Sequence, residues 1–259
     1  MIGVFDSGMG GLTAVKEILK LKPDAGLIFF GDTGRVPYGT RSRETIINYA
    51  LQDARFLASK RVDAILVACG TVSSTAMPEL KKMLDIPVLG VVEATAEAAV
   101  KATKNGRVGV IGTPATVNSG SYVNYINAVD PSIETFSQAC PLFVPLVEEG
   151  LFSADCDITR LTAEHYLARL REKEIDTLIL GCTHYPVMAE AIGRALPGVT
   201  LINSGAESAR RLSDMGLLKD SGGAEYFVSD STEHFAGLAS RFLGMPLNGR
   251  VGYVEIDKY

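Results

Sequence analysis

Cys69 and Cys182 hold the same place in two similar stretches of the chain. In residues 62–71, Asp63 precedes an unbroken apolar run that ends at Cys69, Gly70 and Thr71; in residues 175–184, Asp176 precedes another that ends at Cys182, Thr183 and His184. A free thiol titrates near pH ~8.5, and a helix start or a neighbouring cation lowers that value, so a sulfur at such a turn can serve as a base. Two thiols facing one cleft titrate as a coupled pair, which favours one thiolate and one thiol. That pair suits removal of a proton from one face of a carbon and delivery of another to the opposite face. The chemistry implied is racemisation or epimerisation.

Helpers stand near both sulfurs. Asp6 ends the first apolar run beside Ser7, where its carboxylate can assist Cys69, and His184 lies two residues beyond Cys182, where an imidazole can do the same. Glu148 follows the stretch from Pro141 to Pro145 and is the candidate inward-facing acid, with Glu149 beside it equally acidic. Ser7, Tyr38, Gly39, Gly70, Thr71, Thr113, Thr116 and Thr183, with Pro37 in the same turn as Tyr38, offer hydroxyls and backbone N–H groups for a carboxylate and an ammonium. Helix starts bind anions without a lysine. Residues 71–74 and 183–186 read as such starts, with hydroxyl caps and Pro186 at a first helical position. Cys140 and Cys156 have no matched counterpart and read as small core residues; His165 and His234, among polar neighbours, read as surface residues.

These side chains need elements to carry them. Both apolar runs read as parallel strands buried on two faces, since a half-exposed strand would alternate. Each cysteine then sits at a strand's carboxyl end, the edge where open α/β sheets bind ligands. Residues 2–7 and 108–113 form a second matched pair in the same order, pointing to an internal duplication. Strands are expected at 2–5, 27–31, 64–68, 88–91, 108–111, 133–137, 177–180 and 200–203. Helices are expected at 11–21, 43–59, 74–84, 94–104, 116–129, 159–173, 187–196 and 206–215. A strand at 224–229 and a helix to 242 are expected to return to the first half. The expected fold is α/β: two pseudo-symmetric domains, residues 1–92 plus 204–259 and residues 93–203, each a parallel sheet flanked by helices, with the active site in the cleft between them.

Composition narrows the partners. A chain of 259 residues with 47% hydrophobic content can fill two cores. A net charge of −5 without a basic run argues against nucleic acid and against an anionic membrane surface. No signal-peptide pattern and no apolar run of about 20 residues is present, so a cytoplasmic location is expected, with the four cysteines as free thiols.

The motifs carry a resemblance. Residues 5–13 around Asp6-Ser7-Gly8, residues 32–39 ending in Pro37-Tyr38-Gly39, the turn Cys69-Gly70-Thr71 and the segment from Gly181 to Pro186 together resemble the glutamate racemases, within the aspartate/glutamate racemase superfamily. The resemblance extends to about Glu207. It implies interconversion of L- and D-glutamate without a cofactor or metal, supplying D-glutamate for peptidoglycan synthesis. It also implies Cys69 and Cys182 as the acid/base pair, supported by Asp6, Glu148 and His184, in a homodimer. The chain departs from the family pattern at Gly70, where asparagine is usual, and at Asn203, where aspartate is common.

Rival readings have their own features. Cys69, Cys182 and His184 would make an acceptable zinc set for a hydrolase, though no local ligand pair such as CxxC supports it. Residues 8–11 are glycine-rich, but Thr13 replaces the third glycine of a dinucleotide fingerprint and no P-loop lysine follows. A glutamate sensor on the same scaffold would bind without exchanging the α-proton. Aspartate racemase differs only in pocket size.

Overall fold

Short runs of Val, Ile, Leu and Phe bounded by turn residues become strands covered on both faces, and the segments between them cross over as helices. The computed structural model describes residues 1–220 and 222–259. Its first half alternates β1 (Ile2–Asp6), α1 (Leu12–Leu21), β2 (Leu27–Gly31), α2 (Arg43–Ser59), β3 (Ala64–Val67), α3 (Gly70–Thr75), α4 (Met77–Met83) and β4 (Val88–Gly90). Next come α5 (Val91–Ala102), β5 (Arg107–Gly112), α6 (Pro114–Asn118), α7 (Ser121–Val129), β6 (Glu134–Ala139), α8 (Phe143–Glu148), α9 (Asp157–Glu172), β7 (Thr177–Leu180), α10 (Ala189–Ala195) and β8 (Thr200–Asn203). The chain closes with α11 (Ser204–Asp214), β9 (Ala224–Val228), α12 (Thr232–Leu243) and β10 (Val251–Tyr253).

The strands form two parallel sheets. One has the order β10, β9, β2, β1, β3, β4 and the other β6, β5, β7, β8. Without the two edge strands from the tail, the orders β2, β1, β3, β4 and β6, β5, β7, β8 are the same. The registers agree as well: Ile2 pairs with Ala64 and Val108 with Thr177. Those are the residues that the two internal sequence matches place in correspondence, so the duplication seen in sequence is a duplication of strand position. As expected from the tail, β9 returns to the first sheet, parallel to β2.

Alternating residues of the central strands feed different cores. Val4, Phe29 and Leu66 face α1 residues Leu12 and Val15, while Phe5, Phe30 and Val67 face Leu57 of α2. All of these are buried, and each large side chain removed from water contributes about 1.5–3 kcal/mol. Phe29 also stacks on Phe235 of α12 at 5.9 Å, which fixes the returning helix to the first sheet. The halves meet through α11, which packs on both α1 and α5. Among the described residues, no helix is long and apolar enough to cross a membrane.

Several expected elements differ. The helix expected at 74–84 is two helices, and the first begins at Gly70, immediately after Cys69; the chain then bends at Ala76, before Pro78. The helix expected at 116–129 breaks at Gly120, whose φ of 66° is left-handed. Helix α8 was not among the expected elements; it lies in the stretch punctuated by Pro141 and Pro145. Pro145 occupies the third helical position, where the missing N–H would have no intrahelical partner. Strand β10 is only three residues long and has no periodicity to read.

Candidate active site

In a sheet ordered β2, β1, β3, β4 the connections leave β1 and β3 in opposite directions, and a crevice opens at their carboxyl ends. Asp6 ends β1 and Cys69 follows β3 at that crevice. In the second sheet Thr113 follows β5 and Cys182 follows β7 at the equivalent crevice. Both sulfurs line one cavity of about 290 Å³. Ser7, Pro37, Tyr38, Gly39, Gly70, Thr71, Thr113, Glu148, Thr183 and His184 line the same cavity. Two expected site residues do not. Asp6 lies fully buried behind the wall, and Thr116 sits beneath Thr113, its hydroxyl 3.1 Å from the Thr113 hydroxyl.

The surroundings of Cys182 form a chain of polar contacts. Its sulfur is 3.9 Å from His184 Nδ1, and His184 Nε2 is 3.1 Å from Glu148 Oε1. Burial works against the charged ring, but the hydrogen bonds and charges of Cys182 and Glu148 outweigh it and push His184 up to about 10. The imidazole is therefore protonated at neutral pH. Of the two adjacent acids, Glu148 faces inward and Glu149 is exposed. Arg241 of α12 donates to the Glu148 carbonyl at 2.7 Å, and Phe242 meets the His184 ring edge-on, so the tail braces this arrangement from the other half.

Cys69 is placed differently. It caps α3 with extended backbone, and its thiol donates to Ser7 Oγ at 3.3 Å. Burial, reinforced by the charge of Asp6, pushes its thiol up to about 12. Asp6 is itself raised by burial, a rise opposed by the His184 charge and by hydrogen bonds. Its carboxylate accepts from Gly8 N at 3.1 Å and from Thr183 Oγ1 at 3.4 Å, while the Thr183 carbonyl accepts from Thr13 Oγ1 at 2.9 Å. These bonds tie the first half to the Cys182 turn. Neither Thr71 nor Thr183 provides the expected helix cap; Cys69 occupies the cap position, and a short 3₁₀ turn (Tyr185–Met188) follows His184.

One expected role is reversed. Tyr38 lines the cavity with its ring, but its hydroxyl points away, bonding Asp32 and, at 3.2 Å, Asp53. Both carboxylates are fully buried and share one guanidinium: Arg35 Nε is 2.7 Å from Asp32 and Nη2 is 3.0 Å from Asp53. Burial and the Asp32 charge hold Asp53 well above the usual carboxylate range. Ser229 Oγ donates to Asp32 at 2.7 Å, joining the turn after β9 to the same cluster. This network fixes the loop whose Val36, Pro37, Tyr38 and Gly39 form one wall. The sequence reading missed Arg35, Asp32 and Asp53 as a unit, since a buried ion cluster spread over a loop and a helix has no local pattern.

The rest of the cavity is mainly apolar. Val36, Pro114, Pro141, Val144 and Pro145 were not expected there. Among the described lining residues there is no lysine or arginine, so apart from the His184 ring a carboxylate entering the cavity would meet hydroxyls and backbone N–H groups. Outside the site, Cys140 is a core residue as expected, whereas Cys156 is a correction: it is partly exposed at the start of α9, and hydrogen bonds from Thr159 lower its thiol. His165 and His234 are exposed, as expected.

A family model for Asp/Glu/Hydantoin racemase matches residues 14–212. A glutamate racemase of Geobacter metallireducens is 46% identical over 99% of this chain and 97% of its own length. The crystal structure of glutamate racemase from Francisella tularensis, in complex with D-glutamate, superposes with a TM-score of 0.91 at 38% identity, covering 100% of this chain and 98% of that one. The Escherichia coli glutamate racemase, solved with L-glutamate and an activator, gives 0.79 at 30% identity, over 98% and 97% of the two chains. With matched sheets, a shared cavity and likeness along the whole length, the chain belongs to the Asp/Glu/Hydantoin racemase family and, within it, groups with the glutamate racemases.

Proposed function

We propose that this chain is an isomerase that interconverts L- and D-glutamate with Cys69 and Cys182 as its two acid/base groups. The observation that carries the reading is a single cavity lined by both sulfurs, each at the carboxyl end of an equivalent strand in one of two matched sheets. One thiolate takes the α-proton while the opposite thiol protonates the carbanion-like species from the other face, and the roles exchange in the reverse direction. Residues 1–92 with 204–259 and residues 93–203 act as the two domains that supply these faces.

The two faces are electrostatically unequal. A charge arising on the Cys182 sulfur meets the protonated His184 ring, which Glu148 holds from behind. Cys69 is a neutral thiol at rest, and Asp6 is the nearby base that can receive its proton. Apolar walls from Val36, Pro114, Pro145 and their neighbours keep the local dielectric low, which strengthens each of these interactions. Ser7, Thr71, Thr113 and Thr183, with the N–H groups at Gly39 and Gly70, hold the substrate's carboxylates and ammonium. Supply of D-glutamate for peptidoglycan, a cytoplasmic location and a homodimeric assembly complete the proposal.

The test incubates pure L-glutamate with the protein in heavy water, without added cofactor. D-glutamate carrying deuterium at the α-carbon is the expected product. Binding of glutamate without isotope exchange would make the chain a sensor, and faster turnover of aspartate would move it to the sister activity.

A further inference from the structure

Thr183 Oγ1 stands between the two halves of the site. It donates to Asp6 Oδ1 at 3.4 Å and lies 3.4 Å from His184 Nδ1, the ring nitrogen that is 3.9 Å from the Cys182 sulfur. A hydroxyl has one proton to give and lone pairs to receive another, so one oxygen serves both neighbours. Thr13 Oγ1 holds the residue in place by donating to the Thr183 carbonyl at 2.9 Å. The joint is closed to water. Asp6, Thr183 and His184 are all buried, and a β-carbon at Gly10 would overlap Thr183 Oγ1 and approach His184 Nδ1 to 2.5 Å. Neither proton transfer to or from a substrate uses this bridge.

After one inversion the two thiols are in the wrong protonation states for a second in the same direction. At rest Cys69 holds its proton and the His184 ring is charged, so the first abstraction falls to Cys182. That turnover leaves Cys69 short of a proton and Cys182 with one to lose. We propose that the Thr183 hydroxyl is a proton carrier that resets the site between turnovers, joining His184 to Asp6 across the two halves. His184 Nδ1 gives its proton to Thr183 Oγ1 as the hydroxyl passes its own to Asp6. Cys182 then restores the proton of His184, and Asp6, near enough to Cys69 for its charge to raise that thiol, hands its proton to the Cys69 sulfur. One proton leaves Cys182 and one arrives on Cys69; every group between them gains one and loses one, and no other reactant enters. The inference rests on the racemase reading above and deepens it. While substrate is bound the same hydroxyl lines the cavity, and the reset follows product release.

The experiment mixes excess L-glutamate, and separately D-glutamate, with wild type, Thr183→Val, Thr183→Ala and Thr183→Ser, and follows product per active site from the first turnover. For Thr183→Val, which keeps the volume and drops the hydroxyl, turnovers after the first are expected to slow by about 10²-fold. The trace is then a burst of one product per site, from one enantiomer only: the one whose α-hydrogen faces Cys182. The other enantiomer meets the unreset site and is slow from the start. Wild type and Thr183→Ser are expected to show no burst. A role limited to packing or to substrate binding slows every turnover alike and produces none. No burst from Thr183→Val with either enantiomer, an equal burst in wild type, or one in Thr183→Ser overturns the proposal. Should Thr183→Val fail to fold by circular dichroism, Thr183→Ala is read in the same way. Wild type that converts neither enantiomer refutes the racemase reading itself, a result separate from any variant's.

Discussion

Cys69 and Cys182 occupy equivalent strand ends but are supported by different groups, so substitutions on the two sides should give different signatures. Cys69→Ala and Cys182→Ala are each expected to lower racemisation by about 10²–10⁴-fold, the usual contribution of a positioned acid or base, with circular dichroism unchanged; substantial inversion by either variant would defeat the two-thiol mechanism. His184 is a titrating group with a clear direction. Its folded value is raised to about 10 from 6.5, so the folded state holds a proton that the unfolded chain has lost between those limits. The stability this contributes is fully present below pH 6.5, declines as pH rises and is gone above 10. Urea midpoints measured across this window should converge for wild type and His184→Gln toward pH 10. At this scale the sequence was informative for Cys69, Cys182, His184 and Glu148, which all reach the cavity, whereas Asp6, equally part of a repeated motif, lies buried behind its wall. It was less informative where the backbone decides which end of a side chain faces inward. Tyr38 presents its ring and not its hydroxyl because two buried aspartates claim the oxygen.

Elements show the same division between what a local pattern encodes and what tertiary contacts decide. Apolar runs gave β1, β3, β5 and β7 clearly, since burial on both faces demands continuous Val, Ile and Leu. Helix α8 was hidden by its prolines, and the early start of α3 at Gly70 was hidden because nothing local marks a cysteine as a cap. The loop carrying Val36 to Gly39 depends on Arg35, whose side chain is 13% exposed and serves two fully buried carboxylates. Arg35→Ala leaves the buried Asp32 and Asp53 side chains without their shared cation and is expected to destabilise the protein by about 3–5 kcal/mol in chemical denaturation. The variant should also raise KM more than it lowers kcat, since the loop lines the proposed substrate cavity and the thiols lie on other elements. The crossing back into the first half is capped by Asn203, whose Oδ1 accepts from Gly205 N at 3.0 Å and Ala206 N at 3.4 Å. Asn203→Ala should cost about 1 kcal/mol by the same measurement.

At the scale of the whole molecule, two matched sheets meet across one cavity, and the first sheet is extended by strands from the far side of the second. Val254 and Ile256, just beyond β10, are buried in the α2 core beside Leu57. A chain ending at Gly249 loses both, at about 1.5–3 kcal/mol for each side chain, and its urea midpoint should fall accordingly. The order of strands also matters while the chain is being made. Strands β5 to β8 have all their sheet partners once Asn203 has been added, but β2 lies between β1 and β9, so one of its edges waits for Ala224–Val228. At about 5–20 residues per second that wait lasts roughly 10–40 s, during which a nascent polypeptide on the ribosome presents an unpaired row of amides flanked by Phe29 and Phe30. The half of the protein begun first is thus completed last, and its open edge is the point at which newly made chains are most prone to pair with one another.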